Sequence, residues 1–298
     1  MCGLVGFLGG VAGIDGDAAL LRRMADTLIH RGPDDGGTWC DSEQRVGFGH
    51  RRLAIVDLSP AGHQPMVSAS ERYVIAFNGE IYNHFALRSG LEGIDCRASL
   101  AMTGAGWRGH SDTETLLAGI EAWGVEATLK KSIGMFAIAL WDRQTHTLTL
   151  ARDRLGEKPL YCGWQGSGNE RVFLFGSELK ALKAHPAFAA DIDRGALCLL
   201  LRHNYIPAPY SIYHGIAKLE PGCLLSVSLA QPEPRIWKYW DAVEVARAGV
   251  AQPFAGTADQ AVDALEVLAK DAVRQQMMAD VPLGAFLRGA SIPVRWWR

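Results

Sequence analysis

Short β-rich runs separated by turn residues constrain the fold of this chain more than any other feature. Each run is bounded by Gly, Pro, Asp or Asn, as strands of antiparallel sheets commonly are. Two amphipathic helical patterns interrupt the runs, which favours an α+β sandwich over repeated βαβ units. The predicted strands are Leu4–Leu8, Arg52–Leu58, Tyr73–Phe77, Met135–Trp141, Thr147–Arg152 and Val172–Phe175.

The two helical patterns carry start and stop signals. The first has its apolar face within residues 20–28, and Asp17 is in position to cap it. The second begins at Ser111, which has capping-box spacing from Glu114, and Gly124 is in position to end it. We therefore predict a helix in each region.

The composition changes near residue 246, where apolar periodicity gives way to Ala, Gly, Gln and Pro. Thr257 and Gln260 then have capping-box spacing, and we expect the apolar positions of residues 262–273 to form the buried face of a helix. The run DVPLGAFL, residues 280–287, predicts a buried strand that opens a second domain. The predicted division is a domain over 1–245, a linker over 246–257 and the beginning of another domain over 258–298.

Composition and charge exclude several classes of protein. A chain of 298 residues with 48% hydrophobic content can bury a full core. Its formal net charge of -2 offers no basic face for nucleic acid, and no apolar run is long enough to cross a membrane. The N-terminus has no leader pattern, so we expect a cytoplasmic protein. Six cysteines without a CxxC pair and nine histidines without an HExxH pair indicate neither a zinc site nor a disulfide framework.

Cys2 stands directly behind the initiator methionine in MCGLVGFLGG. Removal of Met1 would leave a thiol and a free α-amino group on one residue, and that amine titrates near neutral pH. Such a residue contains both a nucleophile and its general base. The alternative is that Cys2 is a small residue that packs ahead of a strand, and these ten residues alone leave both interpretations open.

Several segments match one family when they are taken in order. They are MCGLVGF, HRGPDDGG, GHRRLAIVD, AGHQPM, FNGEIYNH, HSDTETLL, GMFAIALWD, RDRLGEKPLY, GSELKAL and DVPLGAFL. Together they resemble the glutamine-hydrolysing asparagine synthetases over residues 1 to about 287. The N-terminal half of those enzymes is a class II glutamine amidotransferase. The resemblance implies a four-layer αββα sandwich of the N-terminal nucleophile hydrolase type, with Cys2 as the nucleophile.

The resemblance also assigns an oxyanion hole within FNGEIYN. It implies that the Asn78 side-chain amide and the Gly79 backbone N–H stabilise the tetrahedral intermediate, and glycine lets the backbone approach the reacting carbon. The alternative is a hairpin turn, because Asn-Gly is a strong short turn signal. The two interpretations do not exclude each other.

The resemblance further implies residues that hold the substrate. Arg52 matches the arginine that binds the α-carboxylate of glutamine, a task that suits its planar fork. Arg51 is the competitor, and strand alternation sends the two side chains to opposite faces. The residues that follow, Leu53, Ala54, Ile55 and Val56, are expected to form the pocket wall.

Two acids are expected at the other end of the substrate. Glu80 and Asp112 match family residues that receive the substrate ammonium and orient the bound amino acid. A solvated helix cap is the alternative for Asp112, because aspartate is common at helix starts.

The loop HRGPDDGG resembles the family's flap over the glutamine pocket, which implies a flap role for Arg31, Gly32, Pro33 and Asp34. Its glycines at positions 32, 36 and 37 could act as hinges. An ordinary surface turn is the alternative and remains open.

The resemblance breaks near the C-terminus. Where the family has a pyrophosphate loop of the form SGGxDSS, this chain reads LRGASIPVRWWR, and codon arithmetic is consistent with a frameshift. ATP and Mg²⁺ would belong to the synthetase domain, which we expect to be truncated here. Residues 90–107 also resemble an insertion.

These inferences predict a glutaminase that releases glutamate and ammonia through a Cys2 thioester and needs no cofactor for that step. In a full-length enzyme the ammonia would amidate ATP-activated aspartate. Two alternatives stay open: another acceptor, such as a sugar carboxylate, and a non-catalytic remnant of a disrupted gene. Glutamine is the expected partner, and a homodimer is an expectation because family relatives often dimerise.

Overall fold

The computed structural model describes residues 1–10, 14–92, 106–282 and 284. Its strands form two six-stranded antiparallel sheets. The first contains, in spatial order, β10 (Ala217–Lys218), β8 (Tyr161–Gln165), β9 (Val172–Gly176), β1 (Gly3–Gly9), β3 (Val46–Arg52) and β2 (Asp35–Asp41). The second contains β12 (Arg235–Lys238), β11 (Cys223–Val227), β7 (Thr147–Arg152), β6 (Gly134–Asp142), β5 (Tyr73–Ile81) and β4 (Met66–Val67).

Helices cover the outer faces of both sheets. The described helices are α1 (Ile14–Asp26), α2 (His84–Glu92), α3 (Asp112–Trp123), α4 (Val125–Lys131), α5 (Leu179–Lys183), α6 (Arg194–His203), α7 (Ala242–Ala251) and α8 (Ala258–Gln275). Helices α1 and α5 contact the first sheet, and α3 contacts the second. None of the helices in the described ranges is both long and apolar enough to span a bilayer.

Three buried clusters hold the layers together. One lies between the sheets and includes Phe48 of β3 and Trp141 of β6. The second packs Met24 of α1 against the first sheet, and the third packs Leu116 of α3 against Phe77 of the second sheet. Burial of apolar side chains on both faces of both sheets stabilises the stack. The predicted four-layer αββα sandwich is therefore confirmed.

Five of the six predicted strands are present with small shifts at their ends, but the strand predicted over Arg52–Leu58 is wrong. Strand β3 ends at Arg52, and residues 53–58 form a loop. Asp57 has a positive φ of 56°, which a strand does not allow. The Arg52 guanidinium binds the carbonyl groups of Val56, Asp57 and Ser59, so the chain curls around that side chain.

The helix boundaries were partly predicted. Ser111 caps α3 by accepting from the Glu114 N–H, and the helix ends at Gly124. The prediction that Asp17 caps α1 is wrong, because α1 begins at Ile14 and Asp17 lies buried within its first turn.

The C-terminal region differs from prediction in two respects. Residues 246–251 belong to α7 where a linker was expected, although 252–257 contain no regular element. The capping box of Thr257 and Gln260 begins α8 as predicted, but the face expected to be buried is exposed, with 66% of Leu265 accessible. The apolar pattern therefore correctly indicates a helix but not its partner.

Some predicted features lie outside the described residues. They include residues 93–105 of the proposed insertion, half of the strand predicted over 280–287, and the tail from residue 285.

Candidate active site

The candidate site lies where the inward-facing rows of both sheets end. Alternation along β1, β3 and β5 places Cys2, Arg52 and Asn78 on the same face as side chains of the core between the sheets. Polar groups thus replace apolar ones at one end of the same rows, where the space between the sheets becomes a pocket. It is lined by Met1, Cys2, Arg52, Leu53, Ile55, Val56, Gly62, Gln64, Phe77, Asn78, Gly79, Glu80, Ser111, Asp112, Thr113 and Lys158.

The Cys2 thiol is held against the loop that follows β3. Its Sγ accepts from the Leu53 N–H at 3.4 Å and lies 3.6 Å from the Leu53 carbonyl oxygen. Burial raises the pKa of the Cys2 thiol and lowers the pKa of the N-terminal amine of Met1, to which nearby Lys158 and Arg31 also contribute. The resting site therefore favours a neutral thiol beside a weakly basic amine, a pair suited to proton transfer.

Asn78 is a buried amide without a partner. The side chain is 1% exposed, and neither its Oδ1 nor its Nδ2 makes a hydrogen bond with the described residues. An unsatisfied buried polar group costs about 1 to 3 kcal/mol, so such a group inside a pocket is typical of a ligand site. The amide of Asn78 is thus available to a group that enters the pocket.

Gly79 is required by the packing of β5 against β6. A Cβ at this position would meet the Met135 carbonyl oxygen far inside van der Waals distance. Asn78 and Gly79 lie within β5 and face Ala137 and Phe136 of β6, so the hairpin-turn interpretation of this dipeptide is wrong.

The two adjacent arginines point to opposite sides of β3. Arg51 forms an ion pair with Asp26 of α1 on the outer face. Arg52 enters the pocket and is 7% exposed, and its Nη1 donates to the Ser59 carbonyl at 3.2 Å. Within the described part of the chain, no carboxylate lies within ion-pair distance of Arg52, so its positive charge is free to bind an anion.

The residues after Arg52 form much of the pocket wall. Leu53, Ile55 and Val56 line the pocket. Ala54 does not line the pocket, and its N–H donates to the Asp34 carboxylate at 2.9 Å. The loop therefore contributes three of the four wall residues that the sequence predicted.

Asp112 is an acid of the same pocket, and its charge is opposite in sign to that of Arg52. Its Oδ2 accepts from the Ile81 N–H at 2.9 Å, and burial raises its pKa to about 6. Ser111 is the helix cap and Asp112 is only 6% exposed, so the solvated-cap interpretation of Asp112 is wrong. Burial also raises the pKa of Glu80, although the charge of Lys158 opposes this effect.

Two pocket residues have no role assigned by the sequence. Gln64 accepts from the Phe77 N–H at 2.7 Å through Oε1 and donates to the Thr113 hydroxyl at 3.3 Å. These two bonds join β5 to α3. Lys158 reaches the pocket from the turn after β7. Their segments AGHQPM and RDRLGEKPLY are among those that resemble the family, but neither segment predicts which distant residues its side chains contact.

The loop proposed as a flap packs closely against the first sheet. Arg31 donates to Glu178, which also contacts His30 and Lys180. Although burial opposes ionisation, these bonds lower the pKa of Glu178 to about 2. The glycine hinges expected at positions 36 and 37 are wrong, because both residues pair with β3 inside β2. Residues 31–34 precede that strand.

No three His, Cys, Asp or Glu side chains come close enough to hold a metal ion in the ranges that the structure describes. The pocket instead contains a thiol, a buried amide, two cations (Arg52 and Lys158) and two acids (Glu80 and Asp112), and none of these four charged side chains forms an ion pair with the described residues.

The helix–sheet–sheet–helix sandwich of this chain is also the fold of a solved amidotransferase. Solved structures support the fold. The glutamine phosphoribosylpyrophosphate amidotransferase of B. subtilis superposes with a TM-score of 0.55 at 18% identity, over 80% of this chain and 49% of that one. The chain belongs to the glutamine amidotransferase domain family, whose sequence pattern matches residues 1–240.

Two relatives are longer than this chain. A Mycobacterium bovis protein that carries the provisional name asparagine synthetase (glutamine-hydrolysing) is 37% identical over 302 residues, which is 97% of this chain and 44% of the relative. Asparagine synthetase (glutamine-hydrolysing) 3 of Bacillus subtilis is 36% identical over 97% of this chain and 43% of its own length. The chain therefore spans less than half of the length of each of these two relatives.

Proposed function

We propose that this chain hydrolyses glutamine to glutamate and ammonia through a thioester on Cys2. The observation that carries the proposal is the charge pattern of one pocket. Arg52 and Asp112 are buried there without ionic partners among the described residues, and the thiol and the free Asn78 amide lie with them. A free amino acid with a side-chain carboxamide is complementary to all four groups.

Binding uses the two charges. The Arg52 guanidinium receives the α-carboxylate of glutamine, and the Asp112 carboxylate, aided by Glu80, receives its α-ammonium. Both acids have a raised pKa because of burial, and a bound ammonium would favour their ionised forms. The wall of Leu53, Ile55 and Val56 then directs the carboxamide toward the thiol.

Catalysis needs removal of Met1, which leaves the amine on Cys2 itself. This amine takes the thiol proton as Sγ attacks the carboxamide carbon, and the developing oxyanion accepts from the Asn78 Nδ2 and the Gly79 N–H. Collapse breaks the C–N bond, and the ammonium form of the amine protonates the departing ammonia. Water, deprotonated by the same amine, attacks the thioester, which releases glutamate and restores the thiol.

The finer assignments belong to the same proposal. Residues 1–245 form the glutaminase unit, residues 246–257 connect it onward, and residues 258–298 begin a synthetase domain. Residues 31–34 act as a flap over the bound glutamine. In a protein as long as the named relatives, ATP and Mg²⁺ would serve a separate site where the ammonia amidates aspartate. The chain acts in the cytoplasm. It forms a homodimer in the same proposal.

The test is glutamate release from glutamine by the purified chain, with its intact mass recorded to verify that Cys2 is the first residue. We expect activity in the parent chain and none in Cys2→Ala. A matched control is Cys198→Ala, which removes an exposed cysteine of α6. Activity that survives Cys2→Ala, or a processed and folded parent without activity, contradicts the proposal.

A further inference from the structure

Lys158 is a buried lysine whose backbone is fixed on both sides. Its N–H donates to the buried Asp153 carboxylate at 3.0 Å, and its carbonyl accepts from the Arg152 guanidinium at 2.9 Å. Asp153 also accepts from the N–H groups of Leu155 and Glu157, which closes the turn after β7. The sequence RDRLGEK thus forms a rigid turn that directs one lysine side chain toward the pocket.

The Lys158 ammonium lies at the N-terminus without a close counter-ion. The residue is 3% exposed, and its Nζ lies 3.0 Å from the Met1 Sδ. No carboxylate of the described residues lies within ion-pair distance of Nζ, and the acid that most favours its charged form is Glu80, which lines the same pocket. A buried, unpaired ammonium is costly, so a cation kept at this position indicates a function.

We propose that Lys158 is a positioning residue that keeps the Cys2 α-amino group unprotonated, so that this amine can accept the thiol proton. The proposal rests on the proposed function, since it deepens the role of the amine as general base. Removal of Met1 also removes the thioether that contacts Nζ. The new N-terminal amine then belongs to Cys2, the next residue of the chain. The lysine does not touch the substrate in this proposal and acts through the amine.

The electrostatics of the pocket support this role. In the structure the N-terminal amine is that of Met1, and the titratable groups that act on it are Cys2, Lys158, Arg31 and Glu80. Burial is the main cause of the lowered pKa of that amine, the two cations lower it further, and Cys2 and Glu80 raise it. A second positive charge nearby disfavours protonation of the amine.

Loss of the lysine charge removes from the neighbourhood of the amine a like charge that disfavours its protonation. The groups that face Lys158 itself are Glu80, Glu157, Asp153 and Cys2. Burial lowers the pKa of Lys158, and these four groups oppose that effect and favour the cation.

The first experiment titrates the amine directly and needs no turnover. Chains that begin at Cys2 are labelled with trace acetic anhydride across a pH series, and mass spectrometry of the N-terminal peptide gives the neutral fraction. We expect the amine pKa to rise by about one unit in Lys158→Met, because a neighbouring charge shifts a pKa by that order. Lys158→Arg keeps the charge and is expected to stay close to the parent.

The matched control is Lys130→Met, which removes an equal charge from an exposed lysine paired with Glu126 on α4. It is expected to leave the amine pKa unchanged. Lys158→Gln is the second neutral variant in case Lys158→Met does not fold, as judged by its melting temperature. An amine that titrates alike in the parent and in the folded neutral variant overturns the proposal.

The second readout is the pH profile of kcat/KM for glutamate release. We expect its acid limb to move to higher pH in Lys158→Met, since a base with a higher pKa is protonated at a lower proton concentration. A purely structural role would lower activity without moving the limb, which contradicts the proposal. An inactive parent whose amine pKa still rises in Lys158→Met would contradict the proposed glutamine hydrolysis and support the role of the lysine. An active parent whose amine pKa is unchanged in Lys158→Met would support glutamine hydrolysis and contradict the role of the lysine.

Discussion

Arg52 and Asp112 line the same pocket with opposite charges, and neither has an ionic partner among the described residues. Two buried charges that could have paired with each other are instead held apart by their backbone contacts. Arg52 is fixed by loop carbonyls and Asp112 by the Ile81 N–H. This arrangement fits a ligand that carries both charges, as a free amino acid does.

The first prediction concerns the fork of Arg52. We expect Arg52→Lys to raise the KM for glutamine about tenfold or more, because a lysine cannot replace a bidentate guanidinium and each 1.4 kcal/mol is tenfold in affinity. Initial rates of glutamate release give KM and kcat separately. Arg51→Lys is the control, since Arg51 pairs with Asp26 outside the pocket. Equal effects of the two substitutions would contradict the assignment of Arg52.

The choice between Arg51 and Arg52 was predictable because strand alternation is a local rule that holds up to the last residue of β3. The end of that strand was not predictable. LAIVDL reads as a β-rich run, yet the Arg52 side chain binds three carbonyls of the loop and bends the chain away. A buried guanidinium that needs acceptors overrides the local propensity.

Contacts between distant segments limit the prediction of the site. Asn78 and Gly79 are adjacent in sequence, and family motifs suffice to identify them. Lys158 enters the same pocket only because the turn after β7 reaches the N-terminus of the chain, which no spacing reveals. Helix α8 shows the same limit. Its apolar periodicity predicts the helix correctly, but the pattern does not predict that the apolar face is exposed.

The second prediction is a trade between stability and binding at Asp112. Burial raises its pKa from 3.8 to about 6, so the folded state binds this proton more tightly than the unfolded state. The stabilising contribution is therefore present below about pH 4 and is lost as pH rises through 6, at a cost of about 3 kcal/mol. We expect Asp112→Asn to be more stable than the parent at pH 8 and to bind glutamine poorly.

Denaturant unfolding at pH 4.5 and pH 8 tests the sign of this effect. The stability gained by Asp112→Asn should be larger at the higher pH, because the neutral amide avoids burial of a charge. Asp191→Asn, an exposed position, is the control. A variant that is destabilised equally at both pH values would show that the carboxylate has a structural role.

The third prediction separates catalysis from folding at Asn78. We expect Asn78→Ala to lower kcat by about a hundred- to a thousandfold, as loss of one oxyanion donor does. Its free energy of unfolding should stay equal or rise, because both polar atoms of the side chain are buried without partners. Glutamate release and denaturant unfolding are measured on the same preparation. Lower stability with normal kcat would mean that the amide has a partner in the folded chain.

The fourth prediction compares two glycines. At Gly79 a Cβ would collide with the Met135 carbonyl across the β5–β6 pairing, whereas at Gly90 of α2 nothing lies within 4 Å. We expect Gly79→Ala to destabilise the fold by about 1 to 3 kcal/mol and Gly90→Ala to stabilise it by up to about 1 kcal/mol through helix propensity. Melting temperatures of the two variants decide the matter, and a harmless Gly79→Ala would contradict the close approach.

The fifth prediction concerns Asp280, which lies beyond the matched residues 1–240 and yet holds two loops of the pocket. Its N–H donates to the Ile55 carbonyl at 2.8 Å, and its carboxylate accepts from the Asp57 N–H at 2.7 Å and contacts the His110 ring at 2.6 Å. Ile55 lines the pocket, and His110 lies two residues before Asp112. The carboxylate therefore joins the loop that holds the α-carboxylate end of the ligand to the loop that holds its ammonium end.

We expect Asp280→Ala to raise the KM for glutamine several-fold with little change in kcat, because it loosens both loops and leaves Cys2 and Asn78 in place. Asp271→Ala is the control, since it removes an acid that pairs with Arg274 on the exposed helix α8. A fall in kcat with unchanged KM would mean that Asp280 affects the reacting groups. Unchanged kinetics would mean that the loops hold their positions without it.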